Sequence, residues 1–269
     1  MPELPEVETV RRTLKAHILN ETITSVELFY PKMIHMNEDQ FKEKLKGQTV
    51  HDIKRMGKYL IFVLDEDALI IHLRMEGKFF IKENEEKDKH EHVIMTFKSG
   101  RTLRYHDVRK FGTFDLLPLD QYMDKAPLNK LAREPKDLNL HTFYDKIKHK
   151  NLEIKPCLLD QTIISGLGNI YVDETLFQAR IHPLRKGKDI QIEEAKRILD
   201  AAEKVLDEAV LLGGTTIRSY TSSLGVHGRF QLKLQVHMKK DEPCPICQTK
   251  IIKMKVKGRG TYVCPNCQD

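Results

Sequence analysis

Four of the five cysteines stand in two pairs, Cys244-Pro245-Ile246-Cys247 and Cys264-Pro265-Asn266-Cys267, with sixteen residues between them. No other feature restricts the fold as strongly. Two knuckles at this spacing converge four thiolates on one tetrahedral zinc ion, and residues 251–256 and 262–263 between them read as a small hairpin. A redox pair or free thiols would be the plainer reading, but two spaced pairs closing a tiny domain, with Cys157 left over, is the pattern of a structural metal in a reducing compartment. With every ligand position filled by Cys244, Cys247, Cys264 and Cys267, the metal folds the hairpin and places its tip. That tip, Lys255-Val256-Lys257-Gly258-Arg259-Gly260, is either a solvated basic turn or a phosphate grip built on Arg259.

The remaining chain is long enough to bury its own core. Its 269 residues carry 45 Lys and Arg against 39 Asp and Glu, a net charge of +6 that suits a polyanionic partner without requiring one. No apolar run approaches the ~20 residues of a membrane helix, and the start lacks a basic, then apolar leader, so a cytoplasmic protein is expected. Val7, Val10, Leu14 and Ile18 recur at helical spacing and predict an amphipathic helix over 5–18. From 23 to 117 the pattern changes to short runs rich in Ile, Val, Phe, Tyr and Thr, at 59–64, 68–73, 78–81, 92–97, 102–105 and 112–117, which predict a β-sandwich or barrel. Residues 120–140, with Pro127 and Pro135, read as a connection. Helices are then expected over 155–164 and 169–180, on either side of the turn Ser165-Gly166-Leu167-Gly168. A longer helix carries Ile192, Ala195, Leu199, Ala202, Leu206 and Ala209 on one face and stops at Gly213-Gly214.

Three further places could carry chemistry. Were Met1 removed, Pro2 would be a secondary amine with a pKa near ~8, nucleophilic at neutral pH, beside the carboxylates of Glu3 and Glu6. The plainer alternative is that Pro5 and its acidic neighbours only start a helix. The turn at Gly166-Leu167-Gly168-Asn169 opens a helix and could present its N-terminus to a phosphate, with Lys155 as a nearby cation, or could be a packing turn. In the β region Gly57-Lys58-Tyr59, His72-Leu73-Arg74-Met75 and Asp107-Val108-Arg109-Lys110-Phe111-Gly112 each set a cation beside an apolar or aromatic residue. Such loops are strand ends packed in a core, or wedges that unstack a base.

Taken together, in this order along the whole chain, these motifs resemble the formamidopyrimidine-DNA glycosylases. The resemblance implies an α+β fold: an N-terminal catalytic β-sandwich flanked by helices (1–119), a connection (120–140), a helical DNA-binding domain with a helix–two-turn–helix (141–236) and a four-cysteine zinc hairpin (237–269). It implies excision of oxidised purines such as 8-oxoguanine and formamidopyrimidines from duplex DNA, then β,δ-elimination at the abasic site, by a monomer. Pro2 would attack the sugar, Glu3 act as acid and base, and Glu6 support them. Lys58 and Arg259 would serve the reaction by holding phosphate, and His72, Lys155 and Asn169 would bind the backbone further along. Met75, Arg109 and Phe111 would enter the duplex, Arg109 meeting the orphaned base, while the loop over 215–230 would cover the extruded one. The related branch for oxidised pyrimidines is the nearest rival; its members begin Pro-Glu-Gly-Pro and lack the Met75, Arg109 and Phe111 set. A zinc-containing protein that binds damage without cutting is the other. One departure stands out: His237-Met238 occupies a place where family members carry Tyr-Gly.

Overall fold

A computed structural model describes residues 2–215 and 228–269 of the chain. Met1 and most of the loop expected to cover an extruded base lie outside them. Two compact units result, one comprising Met1–Asn129 with Gly213–Gly228, the other Lys130–Leu212 with Arg229–Asp269.

In the first unit, helix α1 (Leu4–Ile18) starts where the sequence places it, with Glu3 as N-cap and Pro5 in the first turn. Glu3 and Glu6 form a reciprocal capping box, which satisfies two backbone donors the helix cannot satisfy itself. Val7, Val10, Leu14 and Ile18 bury one face. Strands β1 (Ile23–Leu28), β2 (Asp52–Met56), β3 (Tyr59–Val63), β4 (Asp67–His72), β5 (Lys78–Lys82), β6 (Glu91–Phe97), β7 (Thr102–His106) and β8 (Thr113–Pro118) follow, interrupted by a short helix α2 (Glu38–Leu45). They make two four-stranded antiparallel sheets, ordered β1-β6-β7-β5 and β2-β3-β4-β8. A single apolar cluster that includes Phe41, Phe62, Phe79, Phe97, Tyr105 and Phe114 fills the sandwich, each such side chain contributing roughly 1.5–3 kcal/mol by leaving water. The sequence pattern does not resolve α2, because Phe41 and Leu45 are its only buried residues; its start is set by Asn37, whose side chain accepts the N–H groups of Asp39 and Gln40.

The second unit holds α3 (Leu140–Ile147), α4 (Ile154–Leu159), α5 (Asn169–Ala179) and α6 (Ile192–Leu211), then the hairpin β9 (Ile252–Val256) and β10 (Arg259–Val263). The helix expected over 155–164 ends early, at Leu159. Asp160 takes up an extended backbone there and its carboxylate accepts the Thr162 N–H and hydroxyl, an Asx turn that competes with further helix. Helix α5 is buried on nearly every side, including Asp173 and Glu174. Among the described residues no helix is long and apolar enough to cross a membrane.

Candidate active site

The amino-terminal turn is fixed by one carboxylate. Glu6 Oε2 accepts the Glu3 N–H at 2.9 Å, while Oε1 accepts the Thr215 N–H at 2.7 Å and the Thr215 hydroxyl at 3.1 Å. Glu6 therefore ties the residue after Pro2 to a segment more than 200 positions away. Gly214 is compulsory beside it: its φ is +76°, and a Cβ there would lie 2.6 Å from Glu6 Oε1. Pro2, Glu3 and Glu6 are all buried, so a carboxyl group that moves protons would do so at a dry, preorganised place. The next carboxylate, Glu8, has a different task. Burial would raise its pKa, but hydrogen bonds and charges from Arg11, Arg12 and Arg55 outweigh that and hold it at about 2. Arg55, donating to both Glu8 and the Gly57 carbonyl, links α1 to the turn that carries Lys58.

Lys58 and His72 come together at the ends of β3 and β4. Gly57 takes φ of 54° at the first position of the two-residue turn between Met56 and Tyr59, which glycine supplies without strain. His72 is edge-on to Tyr59, with ring centroids 4.6 Å apart, and its Nδ1 accepts the Arg74 N–H at 2.9 Å. Burial, then the charges of Arg74 and Lys58, push its pKa down to about 3. The imidazole is thus neutral, with its proton on Nε2, and can meet a phosphate only as a donor.

Met75 and the pair Arg109 and Phe111 ride on two strained loops. Arg74 and Lys110 adopt φ of 54° and 58°, which costs about 1 kcal/mol or more each in a residue that carries a Cβ. Asp107, wholly buried, holds the second loop: its carboxylate accepts the N–H groups of Arg109, Phe111 and Gly112, each at 2.9 Å. Outside, Phe111 is 51% exposed and the Arg109 guanidinium lies 4.8 Å above its ring. An exposed phenylalanine stacked on a cation at a rigid loop tip suits insertion between bases.

In the second unit the four cysteine sulfurs all lie within 4.8 Å of one another, with Cys244 and Cys267 at 3.9 Å and Cys247 and Cys264 at 3.4 Å. Zinc–sulfur bonds of ~2.3 Å in a tetrahedron separate sulfurs by about 3.8 Å, so the set fits one zinc ion with no ligand position left over. Strands β9 and β10 pair with Val256 opposite Arg259, leaving a two-residue turn, Lys257-Gly258, with φ of 45° and 78°. This left-handed turn matches strand twist and presents Arg259 exposed at its exit. Asn169, the first residue of α5, donates its side-chain amide to the Gly260 carbonyl at 2.9 Å, so two of the expected phosphate contacts meet on one strand end.

Lys155 is turned into the interior of its unit. The expected DNA contact is fully buried, its ammonium donating to Asp173 Oδ1 at 2.7 Å, Thr261 Oγ1 at 2.9 Å and the Gly260 carbonyl at 3.1 Å. All three of its N–H groups serve the protein interior. Asp173 also accepts His237 Nδ1–H at 2.7 Å and the Tyr262 N–H at 3.3 Å, while Glu174, its pKa raised by burial against three backbone donors, accepts the N–H groups of Gln235, Val236 and His237. In the sequence reading Asp107 has no role beyond its place in a loop motif, and Asp173 and Glu174 are not singled out; the available signal for the latter two was a pair of acidic residues inside an otherwise apolar helix.

Family models agree with this architecture over nearly the whole chain: the formamidopyrimidine-DNA glycosylase N-terminal domain at residues 1–114, its H2TH domain at 131–221, and the zinc finger found in FPG and IleRS at 241–269. The chain belongs to the formamidopyrimidine-DNA glycosylase family. A formamidopyrimidine-DNA glycosylase of Oceanobacillus iheyensis is 47% identical over 273 residues, covering 100% of this chain and 98% of that protein. A Lactococcus lactis FPG variant with Fapy-dG-containing DNA superposes with a TM-score of 0.94 at 43% identity, and the Lactococcus lactis Fpg with DNA containing an abasic site at 0.93 and 42%; each match covers 100% of both chains. The buried turn at Pro2 and the two strained loops lie within the matched N-terminal domain, and the cysteine hairpin within the matched zinc finger.

Proposed function

We propose that this DNA glycosylase excises oxidised purines from duplex DNA and cleaves the resulting abasic site through a Schiff base on Pro2. With Met1 removed, the Pro2 nitrogen attacks the sugar C1′, the bond from C1′ to the base breaks and the base leaves with a proton. The nitrogen loses its proton and the sugar ring opens, giving an iminium. That cation is an electron sink: loss of a C2′ proton expels the 3′ phosphate, and a second elimination expels the 5′ phosphate. Glu3 relays the protons, and Glu6 holds the turn by accepting the Glu3 and Thr215 N–H groups. Lys58, His72, Asn169 and Arg259 hold phosphates, His72 as a neutral donor. Met75 and Phe111 fill the space of the extruded nucleotide, and Arg109 meets the base left opposite.

The observation that carries this reading is the Glu6 clamp. A carboxylate used only to start a helix has no need to accept two hydrogen bonds from Thr215 on one oxygen, nor of a glycine at 214 to make room. The test is borohydride reduction of the Met1-processed protein on an 8-oxoguanine duplex. A covalent adduct and a cut strand are expected, Pro2→Gly abolishing or sharply reducing the adduct. No adduct from the parent protein would end the enzymatic reading, and preferential cutting of a thymine-glycol duplex would favour oxidised pyrimidines.

A further inference from the structure

The two wedge loops are not independent. Tyr105, in the apolar core of the sandwich, sends its hydroxyl between them: a Cβ at Gly77 would lie 2.1 Å from that oxygen, and one at Gly112 would lie 1.7 Å from it. Both glycines are required because the hydroxyl occupies the space where their side chains would begin. The same hydroxyl donates to Asp107 Oδ2 at 3.3 Å, and that oxygen also accepts the Phe111 and Gly112 N–H groups. On the other side His92, buried and neutral because burial pushes its pKa down, donates Nε2–H to the Asp107 carbonyl at 2.9 Å. Asp107 is thus held at its backbone and its carboxylate at once. The Met75 turn joins through Gly77, whose N–H donates to the Leu73 carbonyl at 3.0 Å.

We propose that Tyr105, Asp107 and His92 form one strut that sets the separation between the Met75 turn and the Arg109–Phe111 loop, and so governs how well Arg109 discriminates the base opposite the lesion. These are positioning residues: none carries the chemistry at the sugar. The inference rests on the reading of both loops as duplex wedges. Its physical core is that four donors converge on one buried carboxylate, three of them on Oδ2 and the Arg109 N–H on Oδ1, and that a core hydroxyl touches both loops. A shift of either loop therefore breaks contacts made to the other.

Amide hydrogen exchange on the full zinc-loaded chain tests the coupling, and excision tests its use. Tyr105→Phe deletes only the hydroxyl; it should speed exchange at the Gly77 and Gly112 amides together by about fivefold, the value of one modest hydrogen bond. The ratio of single-turnover 8-oxoguanine excision opposite cytosine to that opposite adenine should fall by a similar, about fivefold factor. A general loss of stability would instead lower both rates and leave their ratio alone. His92→Leu should act in the same direction and His92→Gln, which can still donate to the Asp107 carbonyl, should restore both readouts; this pair decides the matter if Tyr105→Phe fails to fold. Exchange at Gly77 that ignores the Tyr105 hydroxyl, or a ratio that stays constant, overturns the proposal. A parent protein that excises neither substrate overturns the wedge reading, whereas coupled exchange in that protein would still uphold the strut.

Discussion

Lys155 offers the sharpest perturbation, because two interpretations of it give opposite results. Its ammonium and the Asp173 carboxylate are both 0% exposed and 2.7 Å apart. Lys155→Met keeps most of the apolar stem but leaves a buried carboxylate with only its bonds from His237 and Tyr262. Removing one partner of a buried pair costs about 3–5 kcal/mol. For a unit of this size, roughly 4 °C per kcal/mol, the thermal midpoint of the second unit should fall by about 12–20 °C. Adding Asp173→Asn to Lys155→Met removes the stranded charge and should recover about 2 kcal/mol, since replacing a whole buried pair is often close to neutral. Calorimetry on the single and double variants reads both numbers. DNA binding then separates the roles: Arg259→Ala should reduce the slope of log affinity against log salt by about 0.9, the loss of one phosphate contact, while Lys155→Met weakens binding with the slope intact. A Lys155→Met protein that loses under about 1 kcal/mol and drops the salt slope by about one unit would refute the buried-pair account and restore Lys155 as a phosphate ligand.

His72 should make the fold acid-sensitive. Its folded pKa, pushed down to about 3 from an ordinary 6.5, means the unfolded chain binds the extra proton, so its contribution is complete above 6.5 and is lost as pH falls towards 3; at pH 5 about 2 kcal/mol should be gone, and urea unfolding of His72→Gln should lack that loss. Met238 sits at φ 65° and is 58% exposed, so Met238→Gly should stabilise by about 0.5–1 kcal/mol in chemical denaturation; a destabilised variant would show that the side chain packs. Elemental analysis should find one zinc per chain, and Cys264→Ala should lose it along with exchange protection across β9 and β10, since a structural site of this kind folds with its metal.

The parts of this chain that could be read directly were those whose cause is local. The cysteine spacing, the helix start at Glu3 and Pro5, the strand runs of the sandwich and the glycines before Asn169 each declare themselves within a few residues. Helix α2 and the early stop at Leu159 were hidden because a single side chain decides them, Asn37 at one and Asp160 at the other. Harder still were the buried acids. Asp107 reads as one more polar residue of a loop, and only the fold shows that its carboxylate organises three amides of the segment that follows. Asp173 and Lys155 are eighteen positions apart in the chain, and neither makes sense until the hairpin returns Gly260 and Thr261 to them.

The departure at His237-Met238 shows how the two levels fit. At the second position Met238 enters the left-handed region, at φ 65°, a conformation glycine adopts without strain. The change at 237 is absorbed differently: His237 is buried, donates to Asp173 and stands edge-on to Tyr262 with centroids 5.0 Å apart. Asp173 therefore serves Lys155 and His237 with separate oxygens, and an aromatic hydroxyl at 237 could take the place of only one of those links. Asp173→Asn alone tests that economy. The amide would keep one acceptor for Lys155 or for His237 but not both and would strand the buried ammonium, so the variant should lose about 3–5 kcal/mol, as for removal of the other partner of the pair, and its hairpin amides at Thr261 and Tyr262 should exchange faster. Unaltered exchange there would mean that the zinc site alone holds the hairpin, and that Asp173 serves α5 rather than Arg259.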